Sequence, residues 1–198
     1  MAKIVVLGAG ISGHTAAAHL RRKLSKEHEV LVISPNRNYQ WVPSNIWVGI
    51  GRMKSNEIIF PLEPLYKRKG IGYIQSKAVS FHPEGDSTET KPYILVEGVY
   101  GDTLGKQEKV TYDYLINATG PKLAFDMTEG LVPGTNKAYS VCTYDHAEHA
   151  SEALLKLIAE MKKSDKKVKI LIGTGHAKST CQGAAFEYIL NVEKELVN

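Results

Sequence analysis

The sequence predicts an α/β fold built on a parallel sheet, and three stretches carry that expectation. Ile4-Val5-Val6-Leu7 is a fully apolar, β-branched run that leads into Gly8-Ala9-Gly10-Ile11-Ser12-Gly13 and then the alanine-rich segment from Thr15 to Leu24. That order of residues reads as strand, tight turn, helix. Glu29-Val30-Leu31-Val32-Ile33 adds a second buried strand. Val168-Lys169-Ile170-Leu171-Ile172 followed by Gly173-Thr174-Gly175 repeats the strand-to-glycine pattern. The chain is therefore expected to open one Rossmann-like nucleotide-binding unit at residue 4 and a second at residue 168.

The elements between follow in order. Ser34 to Gly51 reads as a loop, because Trp41, Pro43, Asn45 and Trp47 interrupt any periodicity, and a long loop carrying two tryptophans points to function. Pro61 to Lys69 reads as a short helix entered through proline, and Gly72 to Phe81 as another strand. From Tyr93 to Tyr112 two apolar runs flank Gly101-Asp102-Thr103-Leu104-Gly105, as in a β-meander insert. Tyr112 to Gly120 is a buried strand ending in a glycine turn, and Asp145 to Lys163 an amphipathic helix capped at its start by an Asp or Thr. A βαβ unit takes about 30 residues. After Val168 the chain supplies one strand and one helix, so it reads as a fragment of a longer protein, or as a chain whose missing strands come from another.

Composition narrows the class. With 198 residues, 43% hydrophobic, 23% charged and 8% aromatic, the chain has the make-up of an ordinary globular protein and excludes disorder and fibrous repeats. The formal charge of +4 comes from 25 basic against 21 acidic residues. Its basic runs, Arg21-Arg22-Lys23, Lys67-Arg68-Lys69 and those between Lys162 and Lys169, read as solvated faces, so no nucleic-acid partner is expected. The start leaves no room for a secretory signal, which predicts a cytoplasmic beginning, and no apolar run approaches the ~18 residues of a membrane span. Membrane contact is thus expected to be peripheral, with the fragment itself soluble. Two cysteines, Cys142 and Cys181, are too few for a disulfide scaffold and are either packing or reactive residues.

Gly8-x-Gly10-x-x-Gly13 between strand and helix is the dinucleotide fingerprint in its required context. The first glycine makes the turn, the second lets a pyrophosphate approach the backbone, and the third lets helix and strand pack. An acidic residue about 20 positions on would bind the ribose, but Ser34, Pro35, Asn36 and Arg37 stand there instead. Arg37 beside a small polar residue suits the 2′-phosphate of NADP, whereas Ser34 and Asn36 suit an unphosphorylated ribose, so this site alone leaves NADP and FAD open. The second glycine stretch has Lys178 where the third glycine of a nicotinamide site belongs. Cys181 follows at the start of a helix, with a cation nearby, the setting that favours a thiolate over a packing thiol. Cys142, His146 and His149 fall short of the tetrahedral ligand set of a structural zinc, and no metal is expected.

Tyr112-Asp113-x-Leu115-x-x-Ala118-Thr119-Gly120-Pro121 resembles the strand-and-turn motif of flavoproteins with two dinucleotide domains, in which the first fingerprint binds FAD. Together with Val42-Pro43-Ser44-Asn45-x-Trp47-Val48-Gly49, Lys122-Leu123-Ala124-Phe125, Cys142-Thr143-x-Asp145-His146-Ala147 and Cys181-x-Gly183-x-Ala185-x-Glu187-Tyr188, the chain resembles the N-terminal half of a sulfide:quinone oxidoreductase. The resemblance implies a Rossmann-like FAD-binding domain, its N-terminal part over residues 1–125, then a linker helix and the truncated start of an NAD-domain-like unit over 126–198.

It also implies that sulfide is oxidised at a cysteine pair beside FAD and that electrons pass to a membrane quinone. Cys181 matches one member of the pair, Cys142 the family's third cysteine and His146 a histidine near the active site. The implied FAD contacts are Gly8, Gly10, Gly13, Ser34, Asn36, Pro43, Ala78, Thr119, Gly120 and Pro121. The partners are sulfide and quinone, with peripheral membrane contact in the full-length parent and a homo-oligomer left open. The fragment alone is expected to be weakly active or inactive. The rival enzyme readings are an NADH:quinone reductase and the flavoprotein subunit of a sulfide dehydrogenase; the non-enzyme rival is a flavin-binding module. Trp41 and Trp47 are expected to pack around the flavin and the loop.

Overall fold

Fully apolar strands need cover on both faces, and both are supplied here. The computed structural model describes residues 1–164, 167–179 and 181–197. In chain order its helices and strands are β1 Lys3–Leu7, α1 Ile11–Lys23, β2 Glu29–Ile33, β3 Asn38–Gln40, α2 Asn45–Gly49, β4 Ile59–Pro61, α3 Leu62–Lys69, β5 Gly72–Ile74, β6 Ser76–His82, β7 Tyr93–Gly98, β8 Gln107–Thr111, β9 Tyr114–Asn117, α4 Tyr144–Met161 and α5 Gln182–Val197. They fall into two units, Met1–Tyr39 with Phe60–Pro121, and Gln40–Ile59 with Lys122–Asn198. The chain leaves the first unit and returns to it through the two-stranded ribbon of β3 and β4.

In the first unit a parallel sheet has the order β5-β2-β1-β9. Val5 lies beside Leu31 on one side and Leu115 on the other. Alternate residues then face opposite layers. Val6, Val30 and Val32 pack with Ala17 of α1 and Leu62 and Tyr66 of α3. Val5, Leu7, Leu31 and Ile33 pack with Ile94, Val96 and Val110 of the antiparallel meander β6-β7-β8. Each fully buried valine or isoleucine contributes on the order of 1.5–3 kcal/mol, so this double-faced strand pair is the energetic centre of the unit. One of the basic runs is not simply solvated. The Arg21 guanidinium donates to the carbonyls of Leu24, Ser25 and His28 and closes the C-terminal end of α1.

Several sequence-based expectations are corrected. Gly72 to Phe81 is not one strand: β5 joins the parallel sheet and β6 the meander. The chain changes sheets at Gln75, where Ser34 N–H bonds Ile74 C=O and Ser76 N–H bonds Ser34 C=O. Helix α1 starts at Ile11, directly from the glycine turn, not at Thr15. The loop from Ser34 to Gly51 contains the short helix α2.

The strand expected at Val168–Ile172 does not form. A parallel strand needs hydrogen-bonding neighbours on its edges, and no described strand lies beside this run. Leu171 is 91% exposed, and Ile172 alone of the run packs on a core, that of Ile50, Leu154 and Val192.

The second unit is helical. Val48, Ile58 and Ala147 form one small core with Met53, Val141 and Tyr144 around it. Ile50, Leu154 and Val192 form another.

Candidate functional site

Three parallel strands deliver their following turns to one carboxyl edge, the place where open α/β sheets bind ligands. Gly8 N–H donates to Ile33 C=O and Ala118 N–H to Leu7 C=O, both at 2.8 Å, which draws the three turns together. The glycines of the fingerprint do different work. Gly8 has φ +102°, and a Cβ there would collide with the Ala118 carbonyl; one on Gly13 would collide with the Gly8 carbonyl. Those two are demanded by backbone packing. Gly10 is different, because a Cβ on it would meet nothing within 4 Å.

Gly10 is also the N-cap of α1, extended at φ −72° and ψ −168°, with no side-chain cap and no acidic residue in the first turn. The first helical hydrogen bond runs from His14 N–H to Gly10 C=O, so the amides before His14 have no acceptor within the helix. Open space, free amides and the positive end of the dipole together fit the pyrophosphate of a dinucleotide.

The other expected contacts of this unit are placed as follows. Ser34 is 1% exposed and its hydroxyl accepts Asn36 N–H at 3.2 Å, so it shapes the turn that presents the exposed Asn36. Tyr73 fixes that turn from the side by donating to Asn36 C=O at 2.6 Å. Arg37 lies over the Tyr100 ring, 6.0 Å from its centroid. Thr119 donates from N–H and hydroxyl to Asn117 Oδ1, and Gly120 turns the chain at φ +73°, leaving Thr119, Gly120 and Pro121 exposed. Ala78 is half-buried on β6 opposite Val96, next to an irregularity in the pairing.

In the second unit Pro43 is exposed in a single turn, Val42–Ser44, that runs into α2. Trp41 and Trp47 are 46% and 39% exposed. Cys142 is exposed just before α4, its N–H bonded to the Ser140 hydroxyl at 3.0 Å. His146, in the first turn of α4, packs edge-on to Phe125 with centroids 5.2 Å apart, and its buried Nδ1 has no partner among the described residues. Cys181 is exposed immediately before α5, and both thiols are free. Among the described residues no cluster of His, Cys, Asp and Glu is arranged to hold a metal ion. No described helix is long and apolar enough to cross a membrane.

Two further groups acquire their surroundings only in the fold. Asn45 is 1% exposed, accepts from Gln40 Nε2 at 2.7 Å, and leaves its Nδ2 without a partner among the described residues. His14 sits among Tyr39, Phe60 and Tyr66, with Nδ1 3.2 Å from the Tyr66 hydroxyl. Burial, and then the nearby Lys69 charge, holds its pKa below the usual histidine value.

Comparison with known proteins follows the same lines. The model of a family described as pyridine nucleotide-disulphide oxidoreductase matches residues 2–178. A sulfide-quinone reductase of Aquifex aeolicus is 32% identical over 197 residues, covering 99% of this chain and 40% of that protein. A mitochondrial sulfide:quinone oxidoreductase of Dictyostelium discoideum is 27% identical over 157 residues, 78% of this chain and 31% of that one. The crystal structure of the Aquifex aeolicus sulfide:quinone oxidoreductase superimposes with a TM-score of 0.74 at 26% identity, covering all of this chain and 40% of its own. The chain thus spans 31–40% of the length of these relatives.

Proposed function

Because the chain belongs to the pyridine nucleotide-disulphide oxidoreductase family, we propose that it forms the FAD-binding part of an enzyme that oxidises sulfide and passes the electrons to a membrane quinone. The observation that carries this reading is the likeness to a sulfide-quinone reductase along 99% of the chain. The open position at Gly10 supports it independently, since nothing in the fold requires a glycine there.

FAD supplies the two-electron acceptor that sulfur oxidation requires and a route onward to a quinone. The chain's own residues do the rest. The amides at the start of α1 hold the pyrophosphate beside Gly10. Asn36, at the end of β2, meets the ribose, with Ser34 holding the turn beneath it. Ala78 and Thr119 to Pro121 complete the cofactor contacts of the first unit. Cys181, the exposed thiol immediately before α5, is the group that carries the sulfur. Cys142 is the accompanying thiol, and His146 moves a proton through its buried Nδ1, which has no partner among the described residues. Quinone delivery takes place at a membrane surface touched peripherally by the full-length protein.

The test is spectroscopic. The chain is reconstituted with FAD, and its visible flavin absorbance is followed anaerobically with sulfide or with NADH. Slow bleaching by sulfide, in keeping with the weak activity expected of this chain alone, and none by NADH is the expected result. Bleaching by NADH alone selects an NADH:quinone reductase and removes sulfide from the account.

A further inference from the structure

Gly49 closes α2 at a crowded point. A Cβ placed on it would lie 2.7 Å from Val141 Cγ1, 3.1 Å from Tyr188 Cε2 and 3.3 Å from the Tyr188 hydroxyl oxygen. Only a hydrogen fits between these side chains. Stretches far apart in sequence therefore meet there: the turn that follows Pro43 and Trp47, Val141 beside Cys142, and the helix that starts after Cys181.

The junction is bonded as well as packed. Tyr188 donates its hydroxyl to the Gly49 carbonyl at 3.0 Å, an oxygen at the end of a short helix that would otherwise need another donor. Burial pushes the Tyr188 phenol up to about 12, so the donor keeps its proton at working pH. A second tie lies alongside. Arg52 forks onto Glu195, with Nε to Oε1 at 2.7 Å and Nη2 to Oε2 at 2.9 Å, the geometry of a strong bidentate pair. Close packing of this kind transmits displacement and does not absorb it.

We propose that the junction of Gly49, Val141 and Tyr188 holds the two cysteine-bearing segments at a fixed separation, which makes Gly49 and Tyr188 positioning residues for sulfur chemistry at Cys181 and Cys142. That role rests on the sulfur chemistry proposed for the two thiols, whereas the separation itself is measured without sulfide or flavin. Moving either segment away from Gly49 breaks the Tyr188 bond or opens a void at Val141. Adding a Cβ at Gly49 forces one of them outward.

The chain contains two cysteines, so a nitroxide on each gives a single distance by electron paramagnetic resonance in the 198-residue chain. A narrow distribution is expected for the unmodified sequence. Tyr188→Phe, which keeps the ring and removes the donor, broadens it. Gly49→Ala shifts its peak, and adding Val141→Ala, which removes the methyl the new Cβ would strike, moves the peak back. A loss of stability alone lowers the melting temperature without producing that return. Superimposable distributions in unmodified and Tyr188→Phe protein, both folded by circular dichroism, overturn the proposal even where Gly49→Ala does not fold. Failure of sulfide to reduce the flavin leaves these distances untouched and bears on the reaction alone.

Discussion

The carbonyl oxygen of Ala118 occupies the space in which a Cβ on Gly8 would lie, and Gly8 holds φ +102° to allow it. The turn after β1 and the turn after β9 are therefore one backbone junction. It fixes the rim beside which Gly10 stands open.

Gly8→Ala is expected to destabilise the apo chain by about 1–3 kcal/mol through overpacking and backbone strain. Gly10→Val is expected to leave the apo fold within about 1 kcal/mol, as at any open site, and to abolish flavin retention. Urea unfolding and flavin stoichiometry after reconstitution check both. Full flavin occupancy in Gly10→Val contradicts the assignment of the pyrophosphate to this turn.

His14 sets a pH dependence. Its folded pKa is depressed from 6.5, so the unfolded chain takes up the proton first. The stability tied to neutral His14 is present above about pH 6.5 and declines as the pH falls below it. Urea midpoints measured across that range should fall toward acid in the unmodified chain. The slope should flatten in His14→Gln. Equal slopes in both proteins would remove His14 from the account.

Asp86 anchors the turn between β6 and β7. Its carboxylate accepts from Lys109 Nζ at 2.8 Å and Tyr93 Oη at 2.5 Å, with Thr88 on the other oxygen, and these bonds hold it well below the usual carboxylate range. Its contribution is present above the ordinary aspartate value and declines as the pH falls below about 4. Asp86→Asn should lower the melting temperature at neutral pH, and the gap to the unmodified chain should close on acidification. A gap that stays constant with pH would assign the effect to something other than the carboxylate charge.

Leu171→Ser should change stability by less than about 0.5 kcal/mol, as expected for a side chain 91% exposed. Ile172→Ser should cost more, because Ile172 packs on Ile50, Leu154 and Val192. A large loss for Leu171→Ser would restore the buried strand that the sequence suggests.

The legible parts of the molecule were those whose cause is local. Val5, Val6, Val32 and Ile33 announce a doubly buried sheet by composition alone, and Gly8, Gly10 and Gly13 announce the turn by spacing. The break at Gln75 was not legible, because it depends on Ser34 bonding to both Ile74 and Ser76 across the sheet. Val168 to Ile172 misled, because its apolar character matches a strand while no described strand lies alongside to pair with it. Gly49, Tyr188 and Asn45 lie within the stretches that carry the family resemblance. Their contacts are tertiary and have no periodicity to read.

The most direct test is sulfide-dependent reduction of the flavin in the FAD-loaded protein, before and after Cys181→Ser. Serine keeps the shape of the side chain and lacks a nucleophilic sulfur. The predicted result is that the variant retains FAD, because Cys181 takes no part in the cradle at Gly10, while sulfide no longer bleaches its absorbance. Bleaching of Cys181→Ser at the unmodified rate would contradict the account and return Cys181 to the role of a surface residue.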